Sequence, residues 1–148
     1  MKTSRTLAYA FAIVCIAALT LNAAEKKRIG GPKGGRLLEG IKPQAEFFLE
    51  KDNTVTIAFY DAALKPVPAT DQSVTVIADA SGAKTKVEFE KKGDVLASKS
   101  KLPAGGDYNV VVQFKQKSDA KPQNFRFKLD LNTCGGCKRP EYACICDE

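Results

Sequence analysis

The sequence contains no histidine and no tryptophan among its 148 residues. Without histidine the chain has no Ser-His-Asp or Cys-His nucleophilic system, and it offers no imidazole ligand to zinc or copper. Carboxylate pairs such as Asp52 with Asp61, or Asp79 with Glu90, lie in turn or strand contexts where acidic side chains ordinarily face solvent. We therefore predict that the protein is not an enzyme.

Helical periodicity is also absent, because no segment after residue 24 carries an apolar stripe with a 3.6-residue repeat. The dominant pattern is polar and apolar alternation, which places every second side chain on one face of a sheet. Turn residues separate the alternating runs. The pattern predicts about seven short strands, within residues 45–50, 54–59, 73–76, 86–90, 94–99, 108–114 and 125–131.

Such a series predicts an all-β fold, a single immunoglobulin-like antiparallel β-sandwich over residues 41–132. A small closed barrel is the alternative architecture. No cysteine falls within 41–132, so the inter-sheet disulfide of antibody domains is missing. The predicted core consists of the apolar residues on the inward faces: Phe47, Leu49, Val55, Ile57, Phe59, Val74, Val76, Val87, Phe89, Val110, Val112, Phe114, Phe125, Phe127 and Leu129.

Residues 1–24 have the pattern of a secretory signal peptide, which would form an N-terminal signal helix. A short cationic start is followed by an uncharged apolar run, and small residues precede the expected cleavage after Ala23 or Ala24. The run falls short of the roughly 20 apolar residues of a membrane span, although an uncleaved N-terminal anchor is the alternative. We therefore expect a periplasmic or secreted protein with no stable membrane span after cleavage, and Cys15 leaves with the signal.

The segment that follows, residues 25–40, is rich in glycine and lysine and is predicted to be a flexible lead-in. Beyond it, lysines and arginines are spread along the strands as the polar partners of apolar residues. No aromatic residues interleave with them as they do on nucleic-acid-binding surfaces. We therefore expect a solvated basic face and no nucleic-acid partner.

The most specific motif lies in residues 133–148, which are predicted to form an irregular cysteine-rich tail. A C-x-x-C is followed after six residues by a C-x-C. Glycines between the first two cysteines permit a tight turn. Four thiolates suit zinc or cuprous copper, so the predicted transition-metal ligands are Cys134, Cys137, Cys144 and Cys146.

Disulfides are the competing interpretation of the same tail. An exported protein meets oxidising conditions, and signal removal leaves an even number of cysteines. Cys134 and Cys137 would then pair across to Cys144 and Cys146, since a bridge within the C-x-C is strained. The protein would in that case be a structural or interaction domain with a stapled tail, which docks on another cell-envelope protein. Redox exchange through the C-x-x-C is a third possibility.

A resemblance to known domains bears on the choice between a metal site and disulfides. Residues 31–39 begin with the motif Gly-Pro-Lys-Gly-Gly and are followed by the strand patterns 45–50 and 55–61 and by Lys-Pro-Val at 65–67. Together they resemble small periplasmic immunoglobulin-like β-sandwich domains associated with bacterial heavy-metal efflux and copper handling. Those domains commonly have histidine where this chain has Lys33, so a metal role of the lead-in motif is not implied. The resemblance covers about the first third of the chain after the signal, and it favours the metal interpretation of the tail.

Overall fold

The computed structural model describes residues 28–146, and these residues form an all-β protein. The prediction of an all-β antiparallel fold is confirmed, with nine strands instead of about seven. The strands are β1 (Arg36–Leu38), β2 (Gln44–Leu49), β3 (Val55–Tyr60), β4 (Pro66–Val67), β5 (Ser73–Ala80), β6 (Ala83–Lys92), β7 (Val95–Ser98), β8 (Tyr108–Lys115) and β9 (Gln123–Leu129), followed by one 3₁₀ turn at Glu141–Ala143.

The strands form one antiparallel path in the order β1-β2-β3-β7-β6-β5-β8-β9, with β4 paired to β3. The long strand β6 joins the two halves of this path, because Ala83–Glu88 pair with β5 whereas Phe89–Lys92 pair with β7. The result is nearly barrel-shaped. One gap, which we call the seam, lies between β1 and β9, the two end strands of the path.

The two strands that the sequence pattern did not predict are the shortest. β1 has three residues and lies inside the predicted flexible lead-in, and β4 has two residues within a proline-containing turn. Neither is long enough to display an alternating pattern. β1 forms because Leu37 and Leu38 are buried, at 8% and 1% exposure, while its backbone pairs with β2.

A buried carboxylate organises the rest of the lead-in. Glu46 is fully buried on β2, and it accepts hydrogen bonds from the N–H groups of Lys33 and Gly35 and from the hydroxyl of Tyr60, at 3.1, 2.7 and 2.8 Å. A β-carbon on Gly31 would lie 2.2 Å from this carboxylate, so only glycine allows so close an approach. The motif at residues 31–35 therefore folds over Glu46.

The predicted core is the observed core in most positions. Four of its members, Leu49, Phe89, Phe125 and Phe127, are only partly buried and pack against the rest. The other eleven are buried, with Val74 the most exposed at 5%. The structure adds further buried side chains from five strands (β1, β2, β5, β7 and β8), the loops and the tail: Leu38, Ile41, Ala45, Ala69, Ala78, Leu96, Leu102, Tyr108, Tyr142 and Ala143.

The predicted signal peptide and signal helix, residues 1–24, and Cys15 lie outside the described residues. Within residues 28–146 no helix has the length and apolar character needed to cross a membrane.

Candidate metal centre

The first two cysteines lie on a closed loop that we call the knuckle, residues 133–140. An antiparallel bridge between Thr133 and Pro140 closes its base. Within it, the N–H of Cys134 donates to the Arg139 carbonyl at 2.8 Å, and the N–H of Lys138 donates back to the Cys134 carbonyl at 3.1 Å. The backbone of this segment is thus paired with itself, which fixes the spacing of its two thiols.

The tight turn of the knuckle covers Gly135, Gly136 and Cys137, whereas the positive φ falls on Lys138, at 61°. Neither Gly135 nor Gly136 has a positive φ. Gly136 is required for space, because a β-carbon there would lie 2.7 Å from Cys146 Sγ. A β-carbon on Gly135 would meet no atom within 4 Å, so packing makes no such demand there.

The second pair of cysteines is placed by the 3₁₀ turn. Backbone N–H groups of Glu141 and Tyr142 donate to the carbonyls of Asn132 and Asp130, at 2.8 and 3.0 Å, so the returning chain is bonded to the segment that leaves β9. Cys144 is extended, with φ −61° and ψ 138°, and the chain bends at Cys146. Residues i and i+2 of an extended segment point to the same side, so the thiols of Cys144 and Cys146 both face the knuckle.

Tyr142 attaches the tail to the barrel. Its side chain is 3% exposed and packs edge-on to Phe47, with ring centroids 5.9 Å apart, while it stacks against Phe127 at 6.4 Å. Its hydroxyl accepts the Leu49 N–H at 3.3 Å, and its carbonyl accepts a bond from Arg36 Nη1 at 3.1 Å. The segment between the two cysteine pairs therefore fills the seam and joins the core.

The structure brings all four predicted cysteines together, with their Sγ atoms within 4.8 Å of one another. The shorter separations are 3.2 Å for Cys134 to Cys144, 3.7 Å for Cys134 to Cys146, and 3.8 Å for Cys137 to Cys144. Sulfurs placed tetrahedrally at about 2.3 Å from one zinc ion are about 3.8 Å apart. Within residues 28–146 this is the only group of three or more cysteine and carboxylate side chains placed to share one ion.

None of these four cysteines forms a disulfide in the structure. Even the shortest Sγ separation of 3.2 Å is well beyond the roughly 2.05 Å of a sulfur–sulfur bond. The thiols lie at the distances of a shared ligand set, and Cys134 is buried while the other three are half-buried.

The thiols of the cluster differ in acidity. Backbone N–H groups of Ile145 and Arg139 donate to Cys137 and, with smaller contributions from the thiols of Cys134 and Cys144, lower its pKa to about 6. The N–H of Cys146 acts in the same sense on Cys144, but the bonds that Cys144 shares with the other thiols outweigh it and raise its pKa to about 12. One thiolate is therefore favoured without metal, and further ionisation requires a cation.

Lys138 and Arg139 are close enough to the cysteines in sequence to offset thiolate charge and to lower thiol pKa values. Lys138 Nζ instead donates to the Gly135 carbonyl at 2.8 Å, and Arg139 Nη1 donates to the Gly31 carbonyl at 3.1 Å. The low pKa of Cys137 has backbone N–H donors as its leading cause. The Arg139 side chain therefore ties the knuckle to the lead-in, where a β-carbon on Gly30 would lie 2.5 Å from its guanidinium.

No family model, curated protein or solved structure matches the chain. The geometry of the four thiols and the attachment of the tail to the barrel are therefore the observations that bear on function. The cysteine spacing predicts the four thiols, but it does not predict Tyr142, the residue that docks the tail on the barrel. Its only signal in the sequence is an aromatic residue within a short cysteine-rich tail.

Proposed function

We propose that this protein is an exported, non-enzymatic β protein that binds one soft transition-metal ion through Cys134, Cys137, Cys144 and Cys146. The observation that carries the proposal is the convergence of these four Sγ atoms within 4.8 Å of one another. Thiolates prefer soft ions, and a set of four with no histidine or carboxylate among them suits structural coordination with no open position for a substrate.

Zinc fits this set better than cuprous copper. Two of the sulfur pairs, at 3.7 and 3.8 Å, have the edge length of a tetrahedral zinc–thiolate site. Cuprous copper bound by two or three sulfurs would leave at least one thiol of the four unused. We therefore propose zinc as the resident ion, with cuprous copper as the alternative.

The attachment of the tail to the barrel supports a preformed site. The knuckle is held by its own backbone bonds, and the 3₁₀ turn is held by Tyr142 in the seam. Binding therefore requires little ordering of the chain, which favours high affinity. The same rigidity supports a structural ion in preference to a transient one.

The sequence supports export to the periplasm or the outside of the cell, through the signal-like pattern of residues 1–24. The resemblance to periplasmic metal-handling domains supports the same placement, and the pairing of β6 with both β5 and β7 is compatible with a two-layer immunoglobulin-like arrangement. In the alternative function, the tail is stapled by two disulfides and the protein docks on a cell-envelope partner.

Metal analysis of the full chain purified under reducing conditions tests the proposal. We expect about one zinc per chain, and four additional thiols that react only after chelation. Replacement of zinc by Co²⁺ is expected to give the intense visible bands of tetrahedral cobalt and the near-ultraviolet bands of sulfur-to-cobalt charge transfer. The spectrum reports coordination directly and does not depend on the affinity.

Cysteine substitutions supply the matched control. Cys137→Ser is expected to weaken the sulfur-to-cobalt charge-transfer bands, because one of the four thiolates is lost, whereas Cys15→Ser, which changes the fifth cysteine of the same chain, is expected to leave the spectrum unchanged. Protein isolated from the cell envelope with no metal, no free thiol and a mass lower by four hydrogens would overturn the metal proposal and establish the disulfide alternative.

A further inference from the structure

A second feature of the seam is a cleft lined by three arginines. Arg28, Arg36 and Arg126 line two cavities of about 390 and 540 Å³. Both cavities share all three residues, so they lie side by side, and we call them together the cleft. Arg36 stands at the start of β1 and Arg126 in the middle of β9, so residues 90 positions apart meet only because the path of strands is nearly closed.

The guanidinium of Arg36 is fixed from two sides. It lies 4.9 Å from the ring centroid of Phe127, in a cation–π contact, and its Nη1 donates to the Tyr142 carbonyl at 3.1 Å. A guanidinium has five N–H donors in a rigid fork, so these two contacts leave donors for a further acceptor. The side chain is thus oriented before any ligand arrives.

The charge of the cleft is incompletely balanced. Among residues 28–146 no carboxylate lies within ion-pair distance of Arg28, Arg36 or Arg126, although Glu39, Asp130 and Glu141 also line the cavities. Burial and the like charge of Arg28 lower the pKa of Arg36, and the negative charge of Glu39 offsets only part of this shift. A half-buried cation beside another cation is costly unless an anion is supplied.

We propose that this cleft binds a small dianion that carries carboxylate or phosphate groups. Both groups match the fork of a guanidinium, which binds them through two parallel hydrogen bonds. Two negative charges, on one phosphate or on two carboxylates, allow one ligand to engage arginines from both sides of the seam. The proposal is independent of the metal centre, although Cys144 and Ile145 form part of the wall of the smaller cavity.

The test titrates the metal-loaded full chain with succinate and, separately, with inorganic phosphate, and follows the arginine side-chain N–H signals by NMR. Acetate is the monoanion control. We expect saturable shifts at Arg36 and Arg126 with one or both dianions, and much weaker binding of acetate. The dianion that binds tighter identifies the group that the cleft prefers.

Arg126→Gln is expected to weaken dianion binding about tenfold, as loss of one charge-assisted hydrogen bond implies. Lys91→Gln removes the same charge from β6, in the middle of the strand path, and is expected to leave binding unchanged. If both variants lose the same dianion affinity, or if acetate binds as tightly as the dianions, binding reflects general charge attraction and the proposal is overturned.

The acidic residues that follow Cys146 provide a third variant. In this double variant Asp147→Asn is combined with Glu148→Gln. If it binds dianions and the wild-type chain does not, the arginines bind the protein's own carboxylates and the proposal is wrong. Unchanged binding in this variant supports it. Metal content measured in the same samples keeps this outcome separate from that of the metal proposal.

Discussion

Tyr142 links the barrel to the four-cysteine cluster, so Tyr142→Ala tests whether closure of the seam and the proposed metal binding are coupled. The ring is 3% exposed, packs on Phe47 and Phe127, and lies two residues before Cys144. Replacing a buried aromatic residue with alanine costs about 3–5 kcal/mol. The hydroxyl bond from the Leu49 N–H accounts for a smaller part, about 0.5–1.5 kcal/mol.

Part of this cost is expected to appear in the metal affinity. The 3₁₀ turn keeps Cys144 and Cys146 facing the knuckle, and without the tyrosine ring the metal must itself hold the turn in place. If about half of the loss, about 2 kcal/mol, is transferred to binding, the dissociation constant rises about thirtyfold, because each 1.4 kcal/mol is a factor of ten. The remainder lowers the free energy of unfolding.

Competition with a chromophoric zinc chelator measures the affinity, and urea unfolding of loaded and metal-free protein measures the stability. Tyr142→Phe keeps the ring contacts and is expected to stay within about tenfold of the wild-type affinity. Val76→Ala, in the fully buried core of β5, is expected to lower stability with no change in affinity. Wild-type affinity in Tyr142→Ala, together with reduced stability, would refute the coupling.

Three further outcomes are expected. In metal-free, reduced protein at pH 7, iodoacetamide should modify Cys137 before the other tail cysteines, because its pKa of about 6 makes it largely a thiolate. Peptide mass mapping identifies the modified residue, and modification of Cys144 first would contradict this expectation. Lys138→Gly should raise the unfolding free energy by about 0.5–1 kcal/mol by relieving the positive φ, whereas Lys138→Ala should not. Glu46→Ala should lower it by about 3 kcal/mol or more, since buried donors lose their acceptor, yet leave the metal content unchanged.

Strands were predictable from the sequence where polar and apolar residues alternate over enough positions to be recognised. In β8 and β5 every second residue is buried, so the pattern alone identifies the inward face. β1 was not predictable, because its formation depends on Glu46 folding the glycine-rich lead-in against β2. A glutamate within the apolar strand 44–49 looks in sequence like an ordinary solvent-facing position, and only the three-dimensional structure reveals its hydrogen-bond partners.

The candidate site was predictable in its ligands but not in its support. Cysteine spacing alone predicts that four thiols can converge, because the segment between the pairs is short enough to turn back on itself. The docking of Tyr142 depends on a gap between β1 and β9, which are distant in sequence, and no local pattern encodes it. The positive φ of Lys138 was not predictable for a different reason, since glycine is the residue ordinarily expected there.

The seam also determines how the protein responds to mechanical load. A pulling force applied between residues 28 and 146 acts on segments that meet at the seam, where Arg139 bonds the Gly31 carbonyl and Arg36 bonds the Tyr142 carbonyl. A metal ion bound to the four thiols would work as a clasp, because the tail could not be extended fully without breaking metal–sulfur bonds. Chelation would open this clasp and let the tail peel away from β9 at low force while the other strands stay paired.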